Sequence, residues 1–209
     1  MVVDLKIKLK QKNIDGFKEN EEDLLGVGAS GKVYKYSPND NEKYVIKMMS
    51  SDEWESYDAF YEDFVWQTLI HEEINKLEDS IKVHGFNTYK SKDGNMYTCL
   101  IMDYFEGYKD CFSFLDSPNN WSRELKTPYK RKDRYKNDSF YTLTREIKLL
   151  ITKNLIKSVK QIHNADIIHG DIKTNNFIID PSNCNTKLID FGAAIFNEDN
   201  RKYMVTDWK

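Results

Sequence analysis

The sequence predicts an α+β fold, and three observations predict it. Short runs of apolar and β-branched residues, each bounded by turn residues, recur between Asp23 and Met102. One segment inside that region, from about Trp54 to Leu77, changes to three- and four-residue spacing of its apolar positions. A second helical face, Leu143, Ile147, Ile151, Leu155, Val159 and Ile162, runs through the later half of the chain.

Taken in order, Asp23 to Tyr36 and Lys43 to Met49 read as strands around a glycine-rich turn, with Ser37-Pro-Asn-Asp-Asn41 supplying the next turn. Phe60, Phe64, Ile70, Ile74 and Leu77 mark one amphipathic helix. Two strands follow, Ile81 to Tyr89 and Met96 to Met102, separated by the Asp93-Gly94 turn. Asp103-Tyr-Phe-Glu-Gly107 breaks the strand pattern and is expected to be a hinge. Residues 117 to 138 carry Pro118, Pro128 and a Lys/Arg cluster with little apolar periodicity, and read as a basic surface insertion. The long helix then leads directly into His169.

Composition sets outer bounds. With 209 residues and a hydrophobic fraction of 40%, the chain can form one substantial core or two small lobes. The formal charge of -3 is split between the acidic run Glu19 to Asp23 and the basic stretch Arg123 to Lys136, so a nucleic-acid partner is not expected. Cys99, Cys111 and Cys184 have neither zinc-site nor disulfide spacing, which fits a reducing compartment and a cytoplasmic location. No apolar run is long enough for a signal core or a membrane span. Abundant Lys, Asn and Ile suggest an AT-rich coding genome, such as that of a large DNA virus or a parasite, in which case the cytoplasm would be the host's.

The most informative stretch is Ile168-His-Gly-Asp-Ile-Lys-Thr-Asn-Asn176, followed by Asp190-Phe-Gly192. It sets an acid, a cation, an amide and a second acid at spacings suited to phosphoryl transfer, and it resembles the catalytic loop and metal-binding triplet of the protein kinase superfamily. The resemblance implies a bilobal fold: residues 1–102 as a small lobe with a five-stranded antiparallel sheet and one helix, 103–107 as the hinge, and 108–209 as a truncated, mainly helical large lobe.

It also implies ATP and magnesium. Gly26-Val-Gly-Ala-Ser-Gly31 would let backbone amides close over phosphate oxygens, with Val27, Gly28, Ala29 and Ser30 inside that loop. A glycine-rich turn alone says little, but Lys47 in Tyr-Val-Ile-Lys follows in the right order to reach the α- and β-phosphates. Leu25, Val33 and Val45 would wall the adenine, Met102 would guard the back of its pocket, and main-chain groups of Asp103 and Phe105 would meet its edge. Asp171 would accept the substrate hydroxyl's proton, Lys173 would neutralise the γ-phosphate, and Asn176 and Asp190 would hold magnesium. His169 is expected to brace the loop. The helix should supply a carboxylate for Lys47. Glu73, with Leu69 and Leu77 four residues either side, is the first choice, and Glu62 and Glu72 remain open.

Two departures qualify the resemblance. Gly170 stands where many kinases carry Arg, so control by activation-loop phosphorylation is not expected. The chain also ends at Lys209, soon after Asp190, which is consistent with a compact active kinase, a fragment of a longer reading frame, or a binding protein. A protein partner or a second copy would then cover apolar faces of the long helix, and no membrane partner is expected. The function expected is phosphoryl transfer from ATP to Ser or Thr hydroxyls of proteins. The alternatives are a small-molecule phosphotransferase of the aminoglycoside or choline kinase type, a compact kinase similar to that of the tRNA-modifying KEOPS complex, and a weak kinase-like decoy that binds another kinase.

Overall fold

Between Leu24 and Asp103 the chain builds a five-stranded antiparallel sheet. The computed structural model describes residues 2–4, 8–14, 16–28, 31–90, 95–116, 145–197 and 202–204. The predicted basic insertion lies outside the described residues. Two compact units are present: Met1–Tyr104 with Ala194–Lys209, and Phe105–Ala193. The first boundary lies between Tyr104 and Phe105, and the residues from Ala194 onward group with the first unit.

In the first unit, β1 (Val2–Asp4) precedes the sheet strands β2 (Leu24–Gly28), β3 (Gly31–Asn39) and β4 (Glu42–Ser50). Helix α1 (Tyr57–Ile74) follows, then β5 (Val83–Lys90) and β6 (Met96–Asp103), and the sheet order is β2-β3-β4-β6-β5. The β3–β4 turn is tighter than its sequence suggests. Asn39 Oδ1 accepts the amides of Asn41 and Glu42, both at 3.0 Å, an Asx turn that lets the strands run to its edge. Helix α1 starts where Ser56 Oγ accepts the Ala59 amide at 3.2 Å. It stops at Asn75, whose side chain exchanges hydrogen bonds with Val83 at 2.8 Å in each direction.

Strand alternation divides the sheet into two faces. Tyr34, Tyr36, Ile46, Met48, Cys99 and Ile101 point to one side and form a buried cluster, with Ile14 and Phe17 packed on it. The register pairs Val33 with Lys47, Lys47 with Leu100 and Val45 with Met102, so these five side chains share the other face. Helix α1 lies against that face, where Phe64 meets Phe86 edge-on at 5.6 Å between ring centroids. An N-terminal strap runs beside β5: the Lys12 amide donates to the Phe86 carbonyl at 2.8 Å, and the Phe86 amide donates to the Lys10 carbonyl at 3.2 Å.

The second unit contains β7 (Lys109–Asp110), α2 (Cys111–Asp116), α3 (Arg145–His163) and β8 (Ile167–Ile168), followed by β9 (Phe177–Ile179) and β10 (Thr186–Leu188). Strands β10, β9 and β7 form one antiparallel sheet. Helix α3 is tied to β10 and the loop before it, since Asn154 Nδ2 donates to the Cys184 carbonyl at 2.7 Å and Ser158 Oγ lies 3.1 Å from Thr186 Oγ1. The core here includes Phe114, Ile151, Ile162, Ile167, Ile179 and Phe191. After Ala193 the chain continues as β11 (Ile195–Phe196) and β12 (Lys202–Met204), the latter paired in parallel with β1.

Candidate active site

Each unit assembles its own set of the expected side chains. In the first, the β2–β3 hairpin forms the glycine turn, with Gly26 opposite Val33 and Gly28 opposite Gly31. Gly31 has φ +122°, and a Cβ there would lie 1.9 Å from the Met48 carbonyl oxygen, so no other residue fits without moving β4. Leu25 and Val27 are exposed, Val33 is half-buried, and Ala29 and Ser30 lie outside the described residues.

Lys47 sits between Val33 and Leu100 on the sheet face, with only 5% of its surface exposed. Its Nζ donates to Gln67 Oε1 at 3.3 Å. The expectation for Glu73 is corrected: its carboxylate takes Lys76 Nζ at 2.6 Å on both oxygens. The reason is position along the helix. Glu73 lies in the last turn of α1, whereas Lys47 meets the helix at Gln67. Glu72 accepts the amides of Lys8 and of Leu9, the latter at 2.7 Å, and Glu62 is exposed. Asp103, at the end of β6, accepts the Lys82 amide at 2.9 Å and contacts His84 Nε2 at 2.7 Å, while its own amide donates to the Lys82 carbonyl.

In the second unit the β9–β10 hairpin brings two of the expected residues together. Asn176 stands just before β9 and Asp190 two residues after β10, and the Ile189 amide donates to the Asn176 carbonyl at 2.8 Å. Asn176 Nδ2 donates to Asp171 twice, to the carbonyl at 2.8 Å and to Oδ2 at 2.9 Å. Lys173 Nζ reaches the same Oδ2 at 2.6 Å. The hydrogen bonds from Lys173 and then Asn176 hold the Asp171 carboxyl below the usual aspartate range, and Asp171 in turn raises Lys173. Asp171 therefore presents an ionised, partly exposed carboxylate at neutral pH. Phe105, at the start of this unit, sets its ring 5.1 Å from that of Tyr108 at a tilt of 47°, and Lys187 Nζ lies 5.7 Å from its centroid.

His169 is fully buried and its pKa is lowered, chiefly by burial. Its Nε2 faces the Ile189 carbonyl at 3.0 Å, while Nδ1 faces the Asp171 amide at 3.3 Å. Those partners require a neutral ring with the proton on Nε2. The imidazole thus joins the loop carrying Asp171 to the segment carrying Asp190, a brace rather than a base. Gly170, between His169 and Asp171, has φ +77°, and a Cβ would lie 2.3 Å from the Ala193 carbonyl oxygen. The residue that departs from the common pattern is therefore fixed by local geometry.

The donor set fits magnesium. Asn176 commits its Nδ2 to Asp171, which leaves Oδ1 as its acceptor, and Asp190 offers a carboxylate; both are hard oxygen donors. Among the described residues no group of three or more His, Cys, Asp or Glu side chains is assembled for a metal. An octahedral magnesium ion would need nucleotide phosphate oxygens and water to complete its shell. Sequence reasoning missed Gln67 and Asp63, whose four-residue spacing on α1 was the available signal.

The chain is similar to several protein kinases. The serine/threonine-protein kinase MPS1 of Saccharomyces cerevisiae is 29% identical over 174 residues, covering 82% of this chain and 18% of that protein. The mitotic checkpoint serine/threonine-protein kinase bub-1 of Caenorhabditis elegans is 25% identical over 204 residues, 96% of this chain and 17% of that protein. The dual specificity protein kinase zakA of Dictyostelium discoideum is 27% identical over 181 residues, 82% of this chain and 18% of that protein. The chain spans under a fifth of the length of these three relatives. The family model described as the protein kinase domain matches residues 19–208, nearly the whole chain, and the chain belongs to the protein kinase family.

Proposed function

We propose that the chain transfers the γ-phosphoryl group of ATP to Ser or Thr hydroxyls of proteins. The observation that carries this reading is the Asp171 carboxylate, kept ionised and oriented by Lys173 at 2.6 Å and Asn176 at 2.9 Å. Such a carboxylate accepts a hydrogen bond from an incoming hydroxyl and takes its proton as transfer proceeds. Lys173, already adjacent, balances charge on the transferring group. Lys47 holds the α- and β-phosphates, and the glycine turn lets main-chain amides approach them. Magnesium, held by Asn176 and Asp190, would supply charge neutralisation along the phosphates. Ser/Thr preference draws support from Lys173 and from the names of the yeast and nematode relatives. Buried free thiols at all three cysteines suit work in a reducing cytoplasm.

The test is transfer of labelled phosphate from ATP to a generic protein acceptor, with phosphoamino-acid analysis of the product. Wild type is expected to label Ser or Thr, and Asp171→Ala to lower kcat at least about a hundredfold. Label only on aminoglycosides or choline would refute the protein-directed reading. Undiminished activity in Asp171→Ala would refute the assigned base.

A further inference from the structure

Lys47 is a nearly buried ammonium, and a buried cation is costly unless paired and hydrogen-bonded. Helix α1 answers it in two links. Gln67 Oε1 accepts from Lys47 Nζ at 3.3 Å, and Gln67 Nε2 donates to Asp63 Oδ2 at 2.6 Å. Asp63, Gln67, Ile70 and Ile74 recur at helical spacing, so the two polar residues share the helix face with core positions. Gln67 is 1% exposed, and its amide has one workable orientation there. Reversed, it would press an NH2 group against the ammonium and an oxygen against the carboxylate.

We propose that Asp63 and Gln67 form a relay that positions Lys47, with Asp63 supplying the negative charge and Gln67 transmitting it as an oriented amide dipole. Both are positioning residues, and the inference rests on the phosphoryl-transfer reading of Lys47. Gln67 does the work that the sequence assigns to a glutamate. Asp63 is half-buried; burial raises its pKa, while the Gln67 hydrogen bond and then the charge of Lys47 lower it, so the ammonium also favours the ionised carboxylate through space.

A relay of this kind is exchangeable. Moving the negative charge of α1 one link nearer, in the double variant Asp63→Asn/Gln67→Glu, lets the helix itself offer Lys47 a carboxylate and leaves the new amide at position 63 to donate to it. A role limited to packing predicts no such rescue. The experiment uses the full chain, with MgATP affinity read by calorimetry, kcat and KM read with labelled ATP and a generic protein acceptor, and Lys47→Met as the floor.

Asp63→Asn is expected to lower kcat/KM for ATP about tenfold, leaving KM for the acceptor unchanged, and the double variant to return within about threefold of wild type. Wild-type values in Asp63→Asn, or a double variant no better than the single, would overturn the relay while leaving the phosphoryl-transfer reading intact. Should Asp63→Asn fail to fold, a folded double variant that binds MgATP supports the relay, and failure of both overturns it. If wild type and Lys47→Met bind MgATP equally or not at all, the reading of Lys47 fails and the relay with it.

Discussion

Replacing Gly170 with alanine should destabilise the chain without removing any functional side chain. At φ +77° an L-residue costs about 1–2 kcal/mol, because Cβ crowds the following carbonyl. The new Cβ would also lie 2.3 Å from the Ala193 oxygen and 3.1 Å from its carbonyl carbon, both backbone atoms that cannot rotate away. Forcing such a shift adds about 1–3 kcal/mol. The sum, about 3 kcal/mol, corresponds to a fall in Tm of about 6–12 °C for a chain of this size. Thermal melts followed by circular dichroism would measure it. Gly170→Asn separates the two contributions: asparagine tolerates positive φ but carries the same Cβ, so a loss as large as that of alanine assigns the cost to the Ala193 contact. A melting point for Gly170→Ala within about 1 °C of wild type would refute the reasoning.

Other expectations are equally direct. Gly31→Ala, whose Cβ would lie 1.9 Å from the Met48 carbonyl oxygen, should cost about 3 kcal/mol or more in urea unfolding and weaken MgATP binding; a wild-type midpoint would contradict it. Burial pushes the Cys99 and Cys111 thiols up to about 12 and raises Cys184 as well, so the native chain should not react with a disulfide reagent at a pH of about 8, whereas the unfolded chain should release three equivalents. Asp63 keeps its proton to higher pH when folded than when unfolded. The stability it contributes is therefore full below the ordinary aspartate value of 3.8 and is lost as pH rises through its raised folded value. Urea midpoints of wild type should accordingly fall relative to Asp63→Asn as pH increases from about 4, and a constant gap would refute the shift.

Much of the first unit was legible because its signals are local. Short apolar and β-branched runs bounded by turn residues located the sheet strands, and Ser37-Pro-Asn-Asp-Asn41 carried recognisable turn chemistry. The loop from His169 to Asn176 was legible for a different reason: chemistry constrains its spacing more tightly than packing does. The partner of Lys47 was misassigned for a physical reason. Helix α1 is buried on several sides, at Phe64, Val65, Gln67, Thr68, Leu69, Ile70 and His71, so a search for one apolar stripe could not mark its inner face. Flanking leucines made Glu73 look inward, yet its carboxylate turns to Lys76, and the inward polar residue is an amide that patterning treats as surface. The close approach at Gly170 was equally hidden, because the carbonyl that fills its Cβ position belongs to Ala193, far along the chain.

The return of the chain to its first unit after Ala193 has a consequence for biogenesis. The Ala194 carbonyl accepts the Trp66 indole N–H at 2.9 Å, and Phe196 meets the Trp66 ring at 5.3 Å. During synthesis the ribosome must therefore produce all of residues 105–193 before Trp66 can reach its last neighbours. Until then the Trp66 indole lacks the carbonyl and the ring that this segment supplies, and closing so long a loop slows the final docking step.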